Sequence, residues 1–400
     1  MKKLKKHLGI GTVNISSVEK KFIIDILTKN RLSYGPYTQK FEKKFARLHK
    51  RKYAFFCNSG TSALQVGLHA LKTYFNWKDG DEVLVPAITF IASPNVVLKN
   101  NLKPVFVDID SEFYEIDPKK IEDKINNKTR AIMPVHLFGQ PCDMEPIIKI
   151  AKKYKLKIIE DSCQVVLAKY KGNVVGSWGD VSCFSTYATH LIVTGVGGLV
   201  TTNNPKLAQI IKSLLNHGRD EIYISIDDDD TQDPKKLKKF IKKRFSFIHL
   251  GYSYRLTELE GALGLGELKR LRQIIKQRQK NAKYLIEGLK KFDGLLQLPE
   301  LRKDTEHAFM LFPILVKNQK LKIEKLLLFL EKNGIETRFM FPVLNQPIYK
   351  KMLGNIENQF PVAKKVSRDG FLIGCHQDYE REDLDHIISV FESFFRKENL

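Results

Sequence analysis

Short apolar runs alternate with helical stretches through the first half of the chain. The runs that predict strands are residues 82–86, 104–108, 131–136, 157–160, 181–185 and 198–202. Residues with helical spacing lie between several of them, at 62–75, 91–99, 118–125 and 143–154. Since parallel strands are joined by crossover helices, this alternation predicts an α/β fold with a mainly parallel sheet and helices on both faces.

The hydrophobic pattern changes towards both ends. Residues 39–52 have helical spacing with Phe41, Phe45 and Leu48 on one face. Residues 255–292 are almost wholly helical in pattern, and a smaller α+β unit follows, with strands near 307–316, 336–338 and 370–373. The predicted division is a large domain at 1–250, a helical connector at 251–295 and a small C-terminal α+β domain at 296–400.

The formal net charge of +22 is large. It would suit a polyanionic partner, but the lysines are spread along the whole chain, and no nucleic-acid-binding motif accompanies them. The densest lysine run lies in residues 220–247, where a block of aspartates partly cancels it, and we interpret this segment as a charged insertion.

The spacing of the cysteines and the length of the apolar runs indicate the cellular compartment of the protein. The five cysteines are scattered without a Cys-x-x-Cys pair, which predicts reduced thiols rather than disulfides or a metal site. No apolar stretch reaches the roughly 20 residues of a membrane span, and the basic N-terminus lacks the apolar region of a signal peptide. The expectation is a cytoplasmic protein without a membrane partner.

Two segments carry candidate ligand-binding residues. Gly60 and Thr61 lie where an apolar run passes into a helix, so backbone N–H groups and hydroxyls there could close around a phosphate. A simple helix N-cap would have the same sequence pattern. Asp161 ends a predicted strand, where ligands of open α/β sheets bind, or it caps the next element. Phe90, after another strand, would stack on a ring or lie in the core.

The segment 182–198 gives these candidate residues a common interpretation. It runs from Ser185 through His190 to Gly197 and Gly198, and it resembles the lysine segment of the DegT–StrS family of nucleotide-sugar aminotransferases. Further matching motifs, in family order, extend the resemblance from about residue 35 to residue 377. It implies an aspartate aminotransferase-like homodimer with a mainly parallel seven-stranded sheet. Such a protein would bind pyridoxal phosphate (PLP) or pyridoxamine phosphate (PMP) and act on nucleotide-linked keto sugars, with glutamate as amino donor.

The resemblance also implies roles for individual residues. The cofactor-binding set is Gly60, Thr61 and Ser185 at the phosphate, Phe90 on the ring, Asp161 at the pyridine nitrogen, Gln164 near the phenolic oxygen and Ser253 from the second subunit. His217 and Arg219 are candidates for substrate contact, although His217 also fits a helix end at Gly218.

Three positions depart from the family pattern. His190 stands where the family has the lysine that forms a Schiff base with the cofactor, Val196 replaces an acidic residue, and Ser253 replaces an asparagine. An imidazole cannot make the covalent bond, but it can move protons near neutral pH. The GDP-4-keto-6-deoxymannose 3-dehydratases of this family also resemble the chain in having histidine at this position. A related dehydrase also has histidine there and adds a cysteine-bound iron–sulfur cluster. The corresponding region of this chain, residues 218–245, contains no cysteine, so a cluster-dependent reaction is not expected.

The prediction is therefore a PMP-dependent 3-dehydratase of a nucleotide-linked 4-keto sugar. His190 would be the acid and base, removing a proton from the cofactor's methylene carbon, and Asp161 would hold the ring. Two alternatives stay open: a sugar aminotransferase that uses another lysine, and an inactive paralogue that only binds nucleotide sugars.

Overall fold

The computed structural model describes residues 7–220, 233–318 and 321–400. Its strands are β1 (Tyr53–Cys57), β2 (Glu82–Pro86), β3 (Lys103–Val107), β4 (Thr129–Ile132), β5 (Lys157–Asp161), β6 (Lys169–Tyr170), β7 (Asn173–Val174), β8 (Val181–Ser185), β9 (Gly198–Thr202), β10 (Leu296–Gln297), β11 (Phe312–Val316), β12 (Arg338–Phe339) and β13 (Gly370–Ile373). Its α-helices are α1 (Ser17–Thr28), α2 (Pro36–Leu48), α3 (Gly60–Tyr74), α4 (Ala92–Lys99), α5 (Met144–Lys153), α6 (Pro205–Leu215), α7 (Pro234–Lys243), α8 (Glu258–Leu289), α9 (Ile323–Lys332), α10 (Pro347–Leu353), α11 (Pro361–Asp369) and α12 (Arg381–Lys397).

A seven-stranded sheet organises the first half of the chain, in the order β1-β9-β8-β5-β4-β2-β3. The five strands from β8 to β3 are parallel, whereas β9 is antiparallel to both of its neighbours. Strands β2, β8 and β9 are buried along their whole length, as expected for a sheet covered on both faces. The predicted α/β fold with a mainly parallel seven-stranded sheet is confirmed.

Some predicted boundaries were wrong for local reasons. The helix predicted at 39–52 ends at Leu48, because Lys50 adopts a left-handed conformation with a φ of 54° and Tyr53 already starts β1. The helix predicted at 118–125 is two short 3-10 turns, at Pro118–Lys120 and Glu122–Lys124. The strand predicted at 131–136 ends at Ile132, and the one predicted at 307–316 begins only at Phe312.

A second, antiparallel sheet follows, in the order β10-β11-β13-β12. It has its own apolar core with α9, α12 and the end of α8. Leu8, near the start of the chain, belongs to this core and pairs with Ile335. The division at residues 250 and 295 stays a prediction.

Helix α8 links the two cores. It begins with a capping box in which the Thr257 side chain caps the first turn and Glu260 reaches back to the Thr257 N–H at 3.1 Å. Its first half packs on α1 and α2, where Gly264 lets the Phe41 ring approach so closely that a Cβ would lie 2.7 Å from it. Its second half packs against α12, so this one helix fixes how the two sheets face each other.

Of the helices within the described ranges, none combines the length and the apolar character that a membrane crossing requires. Residues 221–232, which include the aspartate block of the predicted insertion, lie outside the described residues.

Candidate functional site

A cavity of about 550 Å³ opens at the carboxyl edge of the seven-stranded sheet. Strands β5 and β8 end there, and segments that follow β1, β2 and β4 add further walls, as is usual for ligand sites in open α/β sheets. The second sheet closes the cavity from the other side with Phe339 and Leu372. The sequence-predicted residues that line it are Gly60, Thr61, Phe90, Asp161, Gln164, Ser185 and His190.

One end of the cavity is built from the start of α3. The Ser59 side chain caps this helix by accepting the Ser62 N–H at 3.0 Å, which leaves the Gly60–Thr61 turn facing the cavity. A Cβ on Gly60 would lie 2.7 Å from the Cβ of Ser185, so only glycine lets the helix start lie against that serine. A helix N-terminus beside a serine hydroxyl suits an anion such as a phosphate.

Asp161 lies deep in the cavity at the end of β5. Its Oδ2 accepts a hydrogen bond from the Ser93 hydroxyl at 2.7 Å, and its Oδ1 accepts the Cys163 N–H at 3.1 Å. Burial raises the pKa of Asp161, while these two hydrogen bonds act in the opposite direction. A buried carboxylate of this kind gains from a cationic partner, and a protonated pyridine nitrogen would be one.

His190 lies on the loop between β8 and β9. Its Nδ1 is 2.7 Å from the Cys163 carbonyl oxygen, so Nδ1 carries the proton and donates it to that carbonyl. In the neutral ring, Nε2 then holds the lone pair and is the basic atom. Burial, with a smaller contribution from the charge of Arg278, lowers the pKa of His190 to about 4. The ring is therefore neutral at pH 7 and can accept a proton.

Phe90 and Gln164, both predicted to bind the cofactor, line the cavity. The Phe90 ring is 54% exposed and meets Phe341 edge-on at 5.9 Å, so one of its faces is available to a ligand. The Oε1 of Gln164 accepts the Phe138 N–H at 2.9 Å, so its NH₂ group is the donor that it can offer.

Ser253, His217 and Arg219 do not line the cavity of this chain. The first two share a separate surface around Arg255, whose Nη2 donates to the Ser253 hydroxyl at 3.3 Å and to the His217 Nε2 at 3.0 Å. The substrate contacts predicted for His217 and Arg219 therefore stay predictions. The contact predicted for Ser253 from a second subunit stays a prediction.

The local structure explains two of these placements. His217 has a φ of 62° and lies in the turn that ends α6, where the Gly218 N–H donates to the Ser213 carbonyl at 2.8 Å, which agrees with the alternative reading of a helix end. The Arg219 guanidinium packs over the rings of Phe245 and Phe247, at 5.8 and 5.4 Å.

Several lining residues were missed from the sequence. Ser93 lies four residues after Thr89, and the two hydroxyls are 2.8 Å apart. This helical spacing, next to the candidate Phe90, could have identified Ser93 as a residue on the same side of the chain. Tyr187, whose ring meets that of His190 edge-on at 6.2 Å, was also inside the recognised segment. Arg338 and Ile10 come from distant parts of the chain, and no local pattern marks them.

The residues that line the cavity fit PLP or PMP. The glycine-dependent turn at Gly60 suits the phosphate, and Asp161 suits the ring nitrogen. The buried Oδ1 of Asn58, also on the cavity wall, has no hydrogen-bond partner among the residues that the structure describes and fits a polar ligand. Of the lining residues that the structure describes, none is a lysine.

Comparisons with known proteins identify the family of the chain. The model of the DegT/DnrJ/EryC1/StrS aminotransferase family matches residues 14–392. An uncharacterised protein of Methanocaldococcus jannaschii is 38% identical over 374 residues, 92% of each chain. GDP-perosamine synthase of Escherichia coli O157:H7 is 32% identical over 392 residues, 98% of this chain and 99% of that protein.

A solved structure of E. coli GDP-4-keto-6-deoxy-D-mannose-3-dehydratase with bound hydrated PLP superimposes with a TM-score of 0.87 and 25% identity, covering 97% of this chain and 100% of that one. The family match spans nearly the whole sequence and both sheets, and PLP-dependent aminotransferases and dehydratases of nucleotide sugars belong to this family. The chain is a member of the DegT/DnrJ/EryC1/StrS aminotransferase family.

Proposed function

We propose that this protein is a PMP-dependent 3-dehydratase that acts on a nucleotide-linked 4-keto sugar. The observation that carries the proposal is His190: an imidazole with a defined basic nitrogen faces the cavity, and the described lining contains no lysine. Without an amine to anchor the cofactor, proton transfer is the chemistry that this position supports.

Separate residues of the chain would bind the cofactor and transfer the proton. Gly60, Thr61 and Ser185 would bind the phosphate, the Phe90 ring would cover the pyridine ring, and Asp161 would keep the ring nitrogen protonated. When bound, PMP supplies an amino group for the sugar carbonyl and an electron sink for negative charge. His190 Nε2 would take up a proton and then donate it to the departing hydroxyl at C3, which leaves as water.

The overall reaction balances with glutamate as the reductant. Glutamate loses two electrons and becomes 2-oxoglutarate, its nitrogen is released as ammonia, and the sugar exchanges its C3 hydroxyl for hydrogen. The low pKa of His190 suits the first proton transfer, because the ring is neutral before it acts. The Cys163 carbonyl would stabilise the imidazolium that results, since Nδ1 already donates to it.

Ser253 would contribute from a second copy of the chain. Its exposure on the surface around Arg255, away from the cavity of its own chain, is compatible with reaching a neighbouring site. We therefore infer a homodimer in which two cavities are completed across the interface.

The test is a reaction of the purified protein with PLP, glutamate and a panel of nucleotide-linked 4-keto sugars. Mass spectrometry should find a sugar that has lost one oxygen atom and 2-oxoglutarate in equal amount. The similarity to GDP-perosamine synthase favours the rival reaction, transamination, in which the sugar gains an amino group at C4 instead. Bound cofactor with no conversion of any sugar would identify an inactive paralogue.

A further inference from the structure

A groove of about 290 Å³ lies between α5 and the β6–β7 hairpin, and we call it the α5 groove. Its charged and aromatic lining residues are Glu145, Lys149, Lys152, Tyr170, Lys171 and Trp178. As far as the structure describes the chain, none of its lining residues also lines the main cavity at the carboxyl edge of the sheet. Small-molecule sites enclose about 300–1,000 Å³, so the groove is close to the size of a site for one small ligand.

The rim of the α5 groove carries an excess of positive charge. Three lysines and one carboxylate, that of Glu145, line it. Glu145 pairs with Lys149 at 2.8 Å and with Lys171, and these two lysines lower its pKa to about 2, so it is ionised at neutral pH. Lys152 forms no ion pair within the described part of the chain. Three positive charges and one negative charge therefore leave the rim with two positive charges for an incoming anion.

The floor of the groove is aromatic and firmly held. The rings of Tyr170 and Trp178 meet edge-on with their centroids 6.1 Å apart. The Tyr170 hydroxyl donates to Asp143 at 2.5 Å, and the backbone N–H of Trp178 donates to the buried Glu160 carboxylate at 2.8 Å. Tyr170 is buried, whereas Trp178 is partly exposed. The indole is therefore the ring that a ligand can cover.

The hairpin turn brings Lys171 to this floor. Lys171 and Gly172 join β6 to β7, and their φ angles of 47° and 75° are both positive, as a type I′ turn requires. Lysine is uncommon in this conformation, for which asparagine is the usual residue. Its Nζ lies 5.5 Å from the centroid of the Tyr170 ring. The turn thus places a cation beside the aromatic floor, across the groove from the lysines of α5.

We propose that the α5 groove binds a nucleoside diphosphate, with the base against Trp178 and the phosphates among Lys149, Lys152 and Lys171. A base stacks on an indole because both are flat and aromatic. Lysine ammonium groups bind phosphate as point charges, and a diphosphate carries enough charge to neutralise the rim. An aliphatic dicarboxylate would match the charge but would leave the indole uncovered. The inference is independent of the proposed function, because no residue that lines the main cavity takes part in it.

The test is a titration of the whole chain with GDP, followed by calorimetry and by tryptophan fluorescence. The chain has two tryptophans, and the other one, Trp77, is buried and lines neither cavity. GDP should change the tryptophan emission of wild type and of Trp77→Phe, but not that of Trp178→Phe. Guanosine and pyrophosphate should each bind at least about 5-fold more weakly than GDP, the lower limit for losing a charge contact or the base stacking.

Charge substitutions test the rim. Lys149→Gln should weaken GDP binding by about 5-fold, the effect of one exposed charge about 4 Å from a phosphate. Lys283→Gln is the matched control, because Lys283 is 79% exposed and Lys149 is 73% exposed, and each pairs with a glutamate four positions away. Lys283 lies on α8 and lines neither cavity, so its variant should bind GDP as wild type does. Glu145→Gln should act in the opposite direction and tighten binding, because it removes the negative charge of the rim.

Four results would overturn the inference. An unchanged tryptophan emission would mean that GDP does not reach Trp178, and equal affinities of Lys149→Gln and Lys283→Gln would mean that GDP binds elsewhere, such as in the main cavity. Pyrophosphate that binds as tightly as GDP would indicate a response to charge alone, and weaker binding in Glu145→Gln would indicate a structural role for that residue. The lysine and glutamate variants change side chains at the surface, so the test does not depend on the folding of Trp178→Phe.

Discussion

Replacing His190 by asparagine removes the transferable proton while keeping much of the local structure. The asparagine amide is shorter than imidazole but can still donate towards the Cys163 carbonyl, which now accepts from Nδ1 at 2.7 Å. The start of α3 at Gly60 and the carboxylate of Asp161 are not altered. We expect His190→Asn to fold and to bind PMP, but to lose dehydration.

The size of the loss follows from the protonation state of the ring. With a pKa of about 4, His190 is almost entirely neutral at pH 7, so nearly every molecule has its basic nitrogen ready. Positioned acid–base groups contribute about 10²–10⁴-fold in rate. The expected increase in barrier is therefore about 3–5 kcal/mol, at about 1.4 kcal/mol for each tenfold change.

The assay is single-turnover dehydration by protein loaded with PMP, followed by mass spectrometry of the sugar. In wild type, kcat/KM should fall as the pH is lowered through about 4, because the lowered pKa keeps the ring neutral down to that value. A histidine with its ordinary pKa would place this fall near 6.5. His386→Asn is the matched control, since His386 lies on α12 and its Nε2 contacts the Asn333 carbonyl at 2.9 Å.

Two results would refute this reasoning. Dehydration by His190→Asn at the rate of wild type would mean that another group moves the proton, although the family assignment would still stand. An acid limb near pH 6.5 would show that the ring is not held neutral in the free protein. His190→Lys supplies the complementary test, because the new amine should bind PLP covalently and favour transamination over dehydration.

The remaining predictions concern the cofactor and assembly. PLP should bind wild type noncovalently, and borohydride reduction followed by peptide mapping should find no stoichiometric pyridoxyl-lysine; one such site would revive the aminotransferase alternative. Ser93→Ala removes a 2.7 Å hydrogen bond to Asp161 that exists before any ligand binds, so it should weaken PMP binding by less than the about 1.5–3 kcal/mol that a bond to a charged group contributes to stability; equal titrations of both proteins would contradict this. Light scattering should find a dimer, and a stable monomer that binds PMP tightly would contradict the proposal that Ser253 of one subunit contributes to the cavity of the other.

Much of the site was predictable because its residues lie at strand ends. Asp161 and Ser185 close β5 and β8, and Gly60 begins the helix after β1. In a parallel sheet these ends meet along one edge, so residues far apart in sequence converge by topology alone. The sheet pattern and the motif spacing together indicated which side chains share the cavity.

The wall that comes from the second sheet could not be predicted in this way. Arg338 reaches the cavity only because β12 pairs with β13 and because Glu336 holds its guanidinium. Ile10 arrives from the opposite end of the chain through the pairing of Leu8 with Ile335. These contacts depend on how the two sheets face each other, and a local pattern of apolar residues does not encode that.

The absence of lysine from the described lining also changes what must hold the cofactor. A covalent bond would tolerate weak contacts elsewhere, whereas a noncovalent cofactor depends on every contact that the protein makes with it. This gives a physical reason for the buried hydrogen-bond chain from Thr89 through Ser93 to Asp161, with distances of 2.8 and 2.7 Å. These hydrogen bonds fix the Asp161 carboxylate before any ligand arrives, so less free energy would be lost in ordering it when a cofactor binds. If the site works by proton transfer as proposed, the same rigidity would help to hold a bound cofactor within reach of His190 Nε2, where a misplacement of about 1 Å can cost about 10²-fold in rate.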